Sequence, residues 1–250
     1  MAAQRIREGW VEFTPGQAHQ MTHVLRLRSG DRVTVFDGTG REIVASLTAT
    51  TPRRVIARLL EELPVLPCAR VRVALAQIVP RGLAMDLIVA KATELGVERI
   101  IPLEGERSVR RTSVARSSRW LRIVQEAAEQ CGRRDVPEVA PASTLEAFLL
   151  SHPWETPLLV GDVGQASQPL MAACRELRDT SSLVLLIGGE GGLSPSEVER
   201  LRSRGARLTW LGPRLLRAET ADLAALAIIQ AAVGDWETVP AGEAGARSLS

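Results

Sequence analysis

Cysteine and histidine are scarce in this sequence of 250 residues. Its three cysteines are widely spaced, odd in number and without the spacing of zinc ligands: Cys68, Cys131 and Cys174. This pattern indicates neither a disulfide framework nor a zinc site, and it is typical of a protein from a reducing cytosol. The three histidines are dispersed, and His19 and His23, four residues apart, have no third candidate ligand near them in sequence. We therefore expect no bound metal.

Long apolar runs and an export signal are also lacking. No apolar stretch approaches the roughly 18–20 residues of a membrane-spanning helix. No basic segment followed by an apolar segment opens the chain. These absences favour a cytoplasmic protein without membrane contact. Tyrosine is absent, and Lys91 is the only lysine among 31 basic residues, which indicates a drift towards GC-rich codons.

The net charge of +2 is too small to indicate nucleic-acid binding by itself, but arginine is concentrated in two regions. One region is interleaved with serine and threonine and contains Arg107, Arg110, Arg111, Arg116, Arg119 and Arg122. The other lies in the N-terminal third and contains Arg26, Arg28, Arg32, Arg41, Arg53, Arg54 and Arg58. Either region is a solvated basic face or a surface that contacts RNA phosphates, and the composition favours the second interpretation.

The hydrophobic pattern predicts two parts with different architectures. Residues 1–68 show short segments of alternating polarity at 10–13, 23–27, 32–36, 42–47 and 55–60, separated by turn signals. This pattern predicts a small antiparallel barrel. After a proline-containing linker at 63–67, strand and helix patterns alternate, with a helix predicted near 168–178, and this alternation predicts a parallel α/β sheet. The segment after Asp235 is rich in Gly, Ala, Glu and Ser, and we expect residues 238–250 to form a flexible tail.

Two strand–loop–helix units near the C-terminus carry the strongest functional signal. An apolar strand at 183–187 leads into the glycine loop, residues 188–192, and a helix follows from about Ser194. A second strand at 208–211 leads into the second loop, residues 212–220, which opens an apolar helix. Open α/β sheets bind ligands at the carboxyl ends of neighbouring strands, and glycines let the backbone approach a ligand. The alternative for the glycine loop is a tight connection without a ligand.

The glycine loop does not match the common phosphate-binding motifs. It lacks the GK[ST] ending of a P-loop, and it departs from GxGxxG because Ser194 stands at the last position. The carboxylate of Glu190 at its centre would repel a pyrophosphate. A neutral or cationic ligand fits better, such as an adenosine group that carries a sulfonium.

These motifs resemble those of the RsmE family, S-adenosylmethionine-dependent uridine N3 methyltransferases of 16S ribosomal RNA within the SPOUT superfamily. The resemblance rests on IGGEGGLSPSEVE, LGPRLLRAETADLAALAIIQ, KATELGV leading to ERS, and EAAEQCGR, which occur in the family's order between residues 77 and 232. The chain departs from the family at Gly189, where proline is usual, and at Ala218, where threonine is frequent.

The resemblance implies a fold, an assembly and a partner. It implies a SPOUT-type parallel sheet with a C-terminal trefoil knot at 69–237, preceded by a PUA-like RNA-binding β-barrel at 1–68. Knots are rare exceptions to the usual connection rules, and periodicity does not reveal them. It further implies a homodimer, and 16S rRNA, within the small ribosomal subunit, as the partner. We expect the apolar helix at 222–232 to be buried against the knot or a second subunit.

The resemblance also implies which residues bind the ligands. The cofactor, S-adenosylmethionine, is expected to be held by Gly161, Ile187, Gly188, Gly189, Gly191, Gly192, Leu211, Gly212, Leu215 and Leu216. RNA is expected to be held by Arg107, Arg110, Arg111 and Arg133. Two alternatives stay open: another SPOUT enzyme, such as a ribose 2′-O-methyltransferase, and an RNA-binding factor with a degenerate cofactor site.

The chemistry of uridine N3 suggests the catalytic residues. N3 must lose a proton to become a nucleophile, and the charge that results spreads over O2 and O4. Arg217 is the first candidate for a cation that stabilises this charge; the alternative is a surface arginine paired with Glu219. Thr220 is a candidate to orient Arg217, to contact the base or to cap the helix. Glu190 and Glu219 are both candidate proton acceptors.

Lys91 is a weaker candidate. It lies three residues before Glu94, so the two form either a simple helix salt bridge or a pair with a specific role. As the single lysine, it indicates a position where a guanidinium does not substitute.

Overall fold

The computed structural model describes residues 6–7, 9–36, 40–63, 71–107, 113–153, 155–161 and 167–236. The chain divides into two compact units, Met1–Pro67 with Gln125–Val136, and Cys68–Val124 with Pro137–Ser250. The sequence-based division at 68/69 did not assign residues 125–136 to the first unit. Most of the linker and the expected tail at 238–250 lie outside the described residues.

The first unit contains an antiparallel sheet of five strands in the order β1-β2-β5-β4-β3. The strands are β1 (Ile6–Arg7), β2 (Trp10–Glu12), β3 (Arg32–Phe36), β4 (Glu42–Thr51) and β5 (Arg54–Glu62). The predicted alternation is confirmed in β4, where Ile43, Ala45 and Leu47 face the core and the residues between them do not.

The expected strand at 23–27 is wrong. Thr14 forms a capping box with Gln17 and begins helix α1 (Pro15–His19), and a π-helix (Gln20–Val24) continues it. Thr-Pro-Gly-Gln is a helix-start signal, with proline at the first helical position. The buried side chain of Met21 packs into the core of this unit, so the apolar residues of this segment cover the core from a helix and not from a strand.

The second unit contains a parallel sheet in the order β11-β13-β10-β12-β6-β7-β8, with β9 paired to β7. The strands are β6 (Arg72–Ile78), β7 (Arg99–Glu104), β8 (Glu138–Val139), β9 (Ser143–Thr144), β10 (Leu158–Gly161), β11 (Gln168–Pro169), β12 (Ser182–Ile187) and β13 (Arg207–Trp210). The predicted parallel α/β architecture is confirmed. β12 is apolar and buried from Leu183 to Ile187, as expected for a strand covered on both faces.

Six further helices complete the described fold. They are α2 (Ala84–Glu94), α3 (Val114–Cys131), α4 (Leu145–Ser151), α5 (Leu170–Glu176), α6 (Pro195–Ser203) and α7 (Ala218–Ala232). α7 packs against α2 and α5 and buries Ala225, Leu226 and Ile229, so one face of this apolar helix is covered within the unit, while Leu223 and Ile228 are half-buried. Among the described residues, no helix is long and apolar enough to cross a membrane.

Three details of this unit differ from the sequence-based expectation. α7 begins at Ala218, so the second loop ends at Arg217 instead of Thr220. Residues 168–169, expected to be helical, form the short strand β11. α4 was not anticipated, although Thr144 caps it by accepting a hydrogen bond from the Ala147 N–H at 3.1 Å. The trefoil knot stays a prediction, since residues 162–166 lie outside the described residues.

Candidate cofactor and RNA site

The two predicted loops leave the same edge of the sheet. β10 lies between β12 and β13, and Gly161 at its end is in register with Ile187 on one side and Thr209 on the other. Because all three strands are parallel, the glycine loop and the second loop both begin at their carboxyl ends. The structure therefore brings together the backbone segments that carry the predicted cofactor residues.

The backbone of the glycine loop is tightly folded. A Cβ atom on Gly188 would lie 3.2 Å from backbone atoms of Gly192, a contact that a larger residue could make only with a shift of the loop. Gly192 has φ +63° and donates a hydrogen bond to the Gly189 carbonyl at 2.9 Å. This loop is half-buried to exposed from Gly189 to Gly192, with the Arg107 side chain against Gly191. A Cβ on Gly161 would lie 2.5 Å from Ile187 Cδ1, so a larger residue there would have to displace the Ile187 side chain.

The second loop is open and displays an apolar side chain. Gly212 has φ +106°, which strains any L-residue at this position. Leu215 is 85% exposed, while Leu211 and Leu216 are half-buried. This exposed leucine lies on a loop at the edge of the sheet where the cofactor is predicted to bind.

The candidate catalytic residues lie where the second loop joins α7. Arg217 is the N-cap residue in extended conformation, without a side-chain capping bond, and Glu219 and Thr220 lie in the first turn. Thr220 therefore does not cap the helix. The exposed Arg217 side chain forms no ion pair with Glu219 or any other described residue, so the surface-pair alternative is not observed. Its guanidinium is available to a ligand.

A cleft opens on the other side of the glycine loop. It has a volume of about 320 Å³ and lies at the carboxyl ends of β12, β6 and β7. We call it the arginine cleft; it is lined by Ile78, Val79, Pro80, Arg81, Gly105, Arg107, Gly189, Glu190, Gly191 and Gly192. Arg81 Nε lies 3.8 Å from Glu190 Oε2. Arg107 donates to the Gly191 carbonyl at 2.5 Å.

Glu197 and Glu106 link the rim of the cleft to α6 through hydrogen bonds and an ion pair. The Glu197 side chain is buried and accepts hydrogen bonds from the backbone N–H groups of Ser194, at 2.7 Å, and Glu106, at 2.8 Å. Glu106 in turn accepts from the Ser194 hydroxyl at 2.6 Å and pairs with Arg200. Hydrogen bonds from Ser194 and Ser196, and then the charge of Arg200, lower the pKa of Glu106 below its ordinary value.

A buried amide supports the glycine loop from below. Gln77 on β6 is fully buried, and its Nε2 donates to the Ile78 carbonyl at 2.8 Å and to the Gly188 carbonyl at 3.3 Å. Three hydrogen-bonding side chains thus hold the loop. Gln77 donates to the Gly188 carbonyl at its start, Arg107 donates to the Gly191 carbonyl, and Glu197 accepts from the Ser194 N–H just after its end. These contacts preorganise the backbone around the site.

The arginine-rich region has a mixed role. Arg110 and Arg111 lie outside the described residues. Arg116 donates to the Gly82 carbonyl at 2.9 Å, and Arg119 pairs with Asp86 at 2.7 Å. Arg133, whose side chain is only 14% exposed, pairs with Asp135. Contacts within the protein therefore occupy part of the region expected to contact phosphates, and they leave little of Arg133 for RNA.

Lys91 and Glu94 form a helix salt bridge at 2.8 Å. This pairing is the simpler of the two interpretations of the single lysine. Within the described residues, no group of three or more His, Cys, Asp or Glu side chains is arranged to hold a metal ion.

Sequence reasoning missed several residues of the site. Arg81 follows the end of β6 and was open to the same strand-end argument that singled out the glycine loop. Glu197 lies three residues after Ser194, which is the spacing of a capping box. Gln77 carried no signal, because a single amide within an apolar strand does not show which carbonyl it contacts.

Comparison with known proteins decides the family. A family model described as an RNA methyltransferase domain matches residues 67–230, and one described as an RNA methyltransferase PUA domain matches residues 13–60. The chain belongs to the RNA methyltransferase family. Curated relatives of this family named ribosomal RNA small subunit methyltransferase E include one from Synechocystis, 34% identical over 92% of this chain and 76% of its own length. Another, from Bacillus subtilis, is 31% identical over 92% of this chain and 93% of its own length.

Solved structures of the RNA methyltransferase family agree. The ribosomal RNA small subunit methyltransferase E of Neisseria gonorrhoeae, bound to S-adenosylmethionine, is 32% identical, with a TM-score of 0.83 over 93% of this chain and 96% of that one. A methyltransferase from Legionella pneumophila in complex with the same cofactor is 30% identical, with a TM-score of 0.81 over 94% of this chain and 97% of that one. These matches confirm the fold class expected from the resemblance, a SPOUT-type parallel sheet preceded by a PUA-like domain.

Proposed function

We propose that this protein is an S-adenosylmethionine-dependent methyltransferase that methylates N3 of a uridine in 16S rRNA of the small ribosomal subunit. The observation that carries the proposal is the pair of preorganised loops at the ends of β12 and β13, in a chain 32% identical to a cofactor-bound methyltransferase of that class. Intact Gly188, Gly191, Gly192, Gly212 and Arg217 argue against a degenerate site.

The shape of the two loops fits the cofactor. The glycine loop offers backbone groups from Gly188 to Gly192 beside Ile187, and the backbone of Gly161 lies at the neighbouring strand end, against the Ile187 side chain. From the second loop, Leu211 and Gly212 line the same edge, and Leu215 and Leu216 provide apolar surface for an adenine. When bound, S-adenosylmethionine supplies an activated methyl group on its sulfonium.

The protein's task is orientation and charge stabilisation. Holding two reactants in near-attack geometry is worth roughly 7–11 kcal/mol. We assign to Arg217, whose guanidinium makes no ion pair with a described residue, the stabilisation of the charge that develops on O2 and O4 of the uridine. Thr220 lies one turn from it on α7 and orients it or contacts the base. Glu190 and Glu219 are the candidates to accept the N3 proton.

Arginines of both units are proposed to bind RNA. Arg26, Arg28, Arg32 and Arg58 are exposed in the first unit, which contains the PUA-like domain. In the second unit we assign phosphate contacts to Arg110 and Arg111, and a further role to Arg107 beside its bond to Gly191. Each phosphate neutralised releases counterions, so RNA affinity should fall steeply with salt. The target base must leave its stack at a cost of a few kcal/mol, which remote contacts offset.

The assembly proposed is a homodimer that acts in the cytoplasm. Leu83 and Leu87, one turn apart at the start of α2, are 69% and 45% exposed, and a second copy would cover them. Light scattering at micromolar concentration should give twice the chain mass. A monomer under these conditions would contradict the dimer.

Nucleoside analysis of 16S rRNA tests the proposed function in cells. RNA from a strain that lacks the protein should lose one N3-methyluridine, and the gene restored on a plasmid should return it. Loss of a 2′-O-methylated nucleoside instead would establish the ribose methyltransferase alternative. An unchanged nucleoside profile would contradict methyltransferase activity and favour the remaining alternative, an RNA-binding factor.

A further inference from the structure

One row of residues crosses the antiparallel sheet of the first unit. Trp10 on β2 is in register with Arg58 on β5. Ser46 on β4 is in register with Arg58 on one side and with Arg32 of β3 on the other. Residues directly opposite one another in antiparallel strands place their side chains on the same face of the sheet. We call these four residues the cross-strand row; it spans three strand spacings, roughly 14 Å.

The cross-strand row lies on the outer face of the sheet. In the next row along the same strands, Val11, Ala57 and Leu47 follow one another in register, and each is at most 1% exposed. Because side chains alternate between the two faces of a strand, the cross-strand row points away from this core. Its Trp10 side chain is accordingly 45% exposed, and both of its arginines are exposed.

Trp10 is unusual among the aromatic residues of this chain. Tyrosine is absent, and all three phenylalanines are buried. Among the described side chains of the five strands, Trp10 is the one aromatic ring that is exposed. An exposed indole on a sheet offers a flat apolar surface on which an unpaired base can stack, whatever the identity of the base.

The arginines of this face differ in whether an acidic side chain holds them. Arg54 begins β5 and pairs with Glu12 at 2.8 Å. Arg58, four residues later on the same strand and the same face, forms no ion pair with a described residue, and neither does Arg32. The row therefore combines one stacking surface with two guanidinium groups that are available to phosphates.

We propose that the cross-strand row binds a short unpaired segment of the RNA, with one base stacked on Trp10 and phosphates on Arg58 and Arg32. The proposal rests on the proposed function and identifies a recognition surface for its substrate. A single strand fits this row because a duplex keeps its bases stacked on one another and presents no free base to an indole. A protein partner would need a larger apolar patch, and Leu60 is the only other large apolar side chain exposed among those described on the five strands.

Salt dependence tests the two arginines of the row. Binding of a fluorescein-labelled oligouridylate to the full-length protein should be measured at several salt concentrations. Arg58→Gln and Arg32→Gln should each weaken binding and lower the slope of log affinity against log salt by about 0.7, the value for one phosphate of a single strand. Arg54→Gln is the matched control and should bind like the wild type, because Glu12 already neutralises Arg54.

Trp10→Leu should give a different signature. Loss of the stacking surface should weaken oligouridylate binding about tenfold and leave the salt slope unchanged, because stacking releases no counterions. Trp10→Phe keeps an aromatic ring and should restore most of the affinity. A fully paired RNA duplex of the same length should bind Trp10→Leu and the wild type equally.

Three results would overturn the proposal. The first is wild-type affinity and salt slope in both Trp10→Leu and Arg58→Gln, and the second is an equal loss of single-strand and duplex binding in Trp10→Leu. The third is unchanged RNA affinity of Trp10→Leu together with a lower mass in light scattering, which would assign the row to a contact between two copies of the chain. A wild-type protein that transfers no methyl group would refute the proposed function instead, and the oligouridylate comparison would still decide the role of the row.

Discussion

The buried carboxylate of Glu197 accepts a hydrogen bond from the backbone N–H of Glu106 at 2.8 Å. This bond joins the start of α6 to the segment that follows β7, although 91 residues separate the two in sequence. Glu197 is also the capping-box residue of α6, so one side chain both begins the helix and fixes the rim of the arginine cleft. The geometry of the glycine loop thus depends on residues that need not touch a ligand.

Glu106→Gln should destabilise the protein at neutral pH and not in acid. The pKa of Glu106 is lowered in the folded state, so its ionised form stabilises the fold above its ordinary pKa of about 4.3, and this contribution is lost as pH falls through the lowered value. Urea unfolding of wild type and variant between pH 7 and pH 3 measures the difference. Glu199→Gln on α6, the helix that carries the Glu106 partner Arg200, is the control, because its own partner Arg202 lies 3.7 Å away. A difference that persists unchanged at pH 3 would contradict the assignment.

Gly192→Val and Gly212→Val should abolish cofactor binding. No atom lies within 4 Å of an added Cβ at either position, so the expected effect comes from the backbone, because φ is +63° and +106°. A β-branched residue in this region costs on the order of 1–3 kcal/mol or changes the loop conformation. Gly205→Val, at φ +87° in the turn between α6 and β13, should lower stability and leave cofactor affinity intact. If calorimetry showed normal cofactor affinity in both loop variants, the cofactor could not bind at this edge of the sheet.

Sequence alone predicted the parts of the site that local chemistry specifies. The glycine loop was recognisable because an apolar strand, four glycines and a capping residue follow one another within a dozen residues. The arginine cleft was not, since Arg81, Arg107 and Glu190 come together only when β6, β7 and β12 become neighbours. Thr14 carries a helix-start signal, but the short alternation at 23–27 by itself predicts a strand. A pattern of five residues does not separate the two.

Asp222→Asn should stabilise the protein at neutral pH. Asp222 on α7 is fully buried, and neither carboxylate oxygen has a partner among the described residues. Burial, and then the charge of Glu219, raises its pKa well above the ordinary value. A raised pKa favours the folded state in acid, and this advantage is lost as pH rises, so the gain from Asn should grow above about pH 4 and reach on the order of 1–3 kcal/mol at pH 7. Unfolding free energies against pH, with the exposed Asp179→Asn as control, measure this; a gain that does not change with pH would contradict it.

Arg217→Gln should lower kcat and leave cofactor affinity close to wild type. Removing a group that stabilises developing charge costs roughly 10²–10³ in kcat. Arg214→Gln is the matched control, because Arg214 is an exposed arginine of the same loop and has no proposed role in the chemistry. Single-turnover methyl transfer separates the chemical step from binding. Equal rates for the two variants would show that Arg217 is a surface arginine without a role in the chemical step.

Methyl transfer by the purified protein tests the central claim most directly. Small ribosomal subunits from a strain without the gene should be incubated with the protein and S-adenosylmethionine labelled in the methyl group, and the 16S rRNA should then be digested to nucleosides. The account predicts label in N3-methyluridine, at one position, with wild type and Arg214→Gln and not with Gly212→Val. Label on a ribose 2′-oxygen, or no label in RNA from a folded protein that binds the subunit, would contradict it.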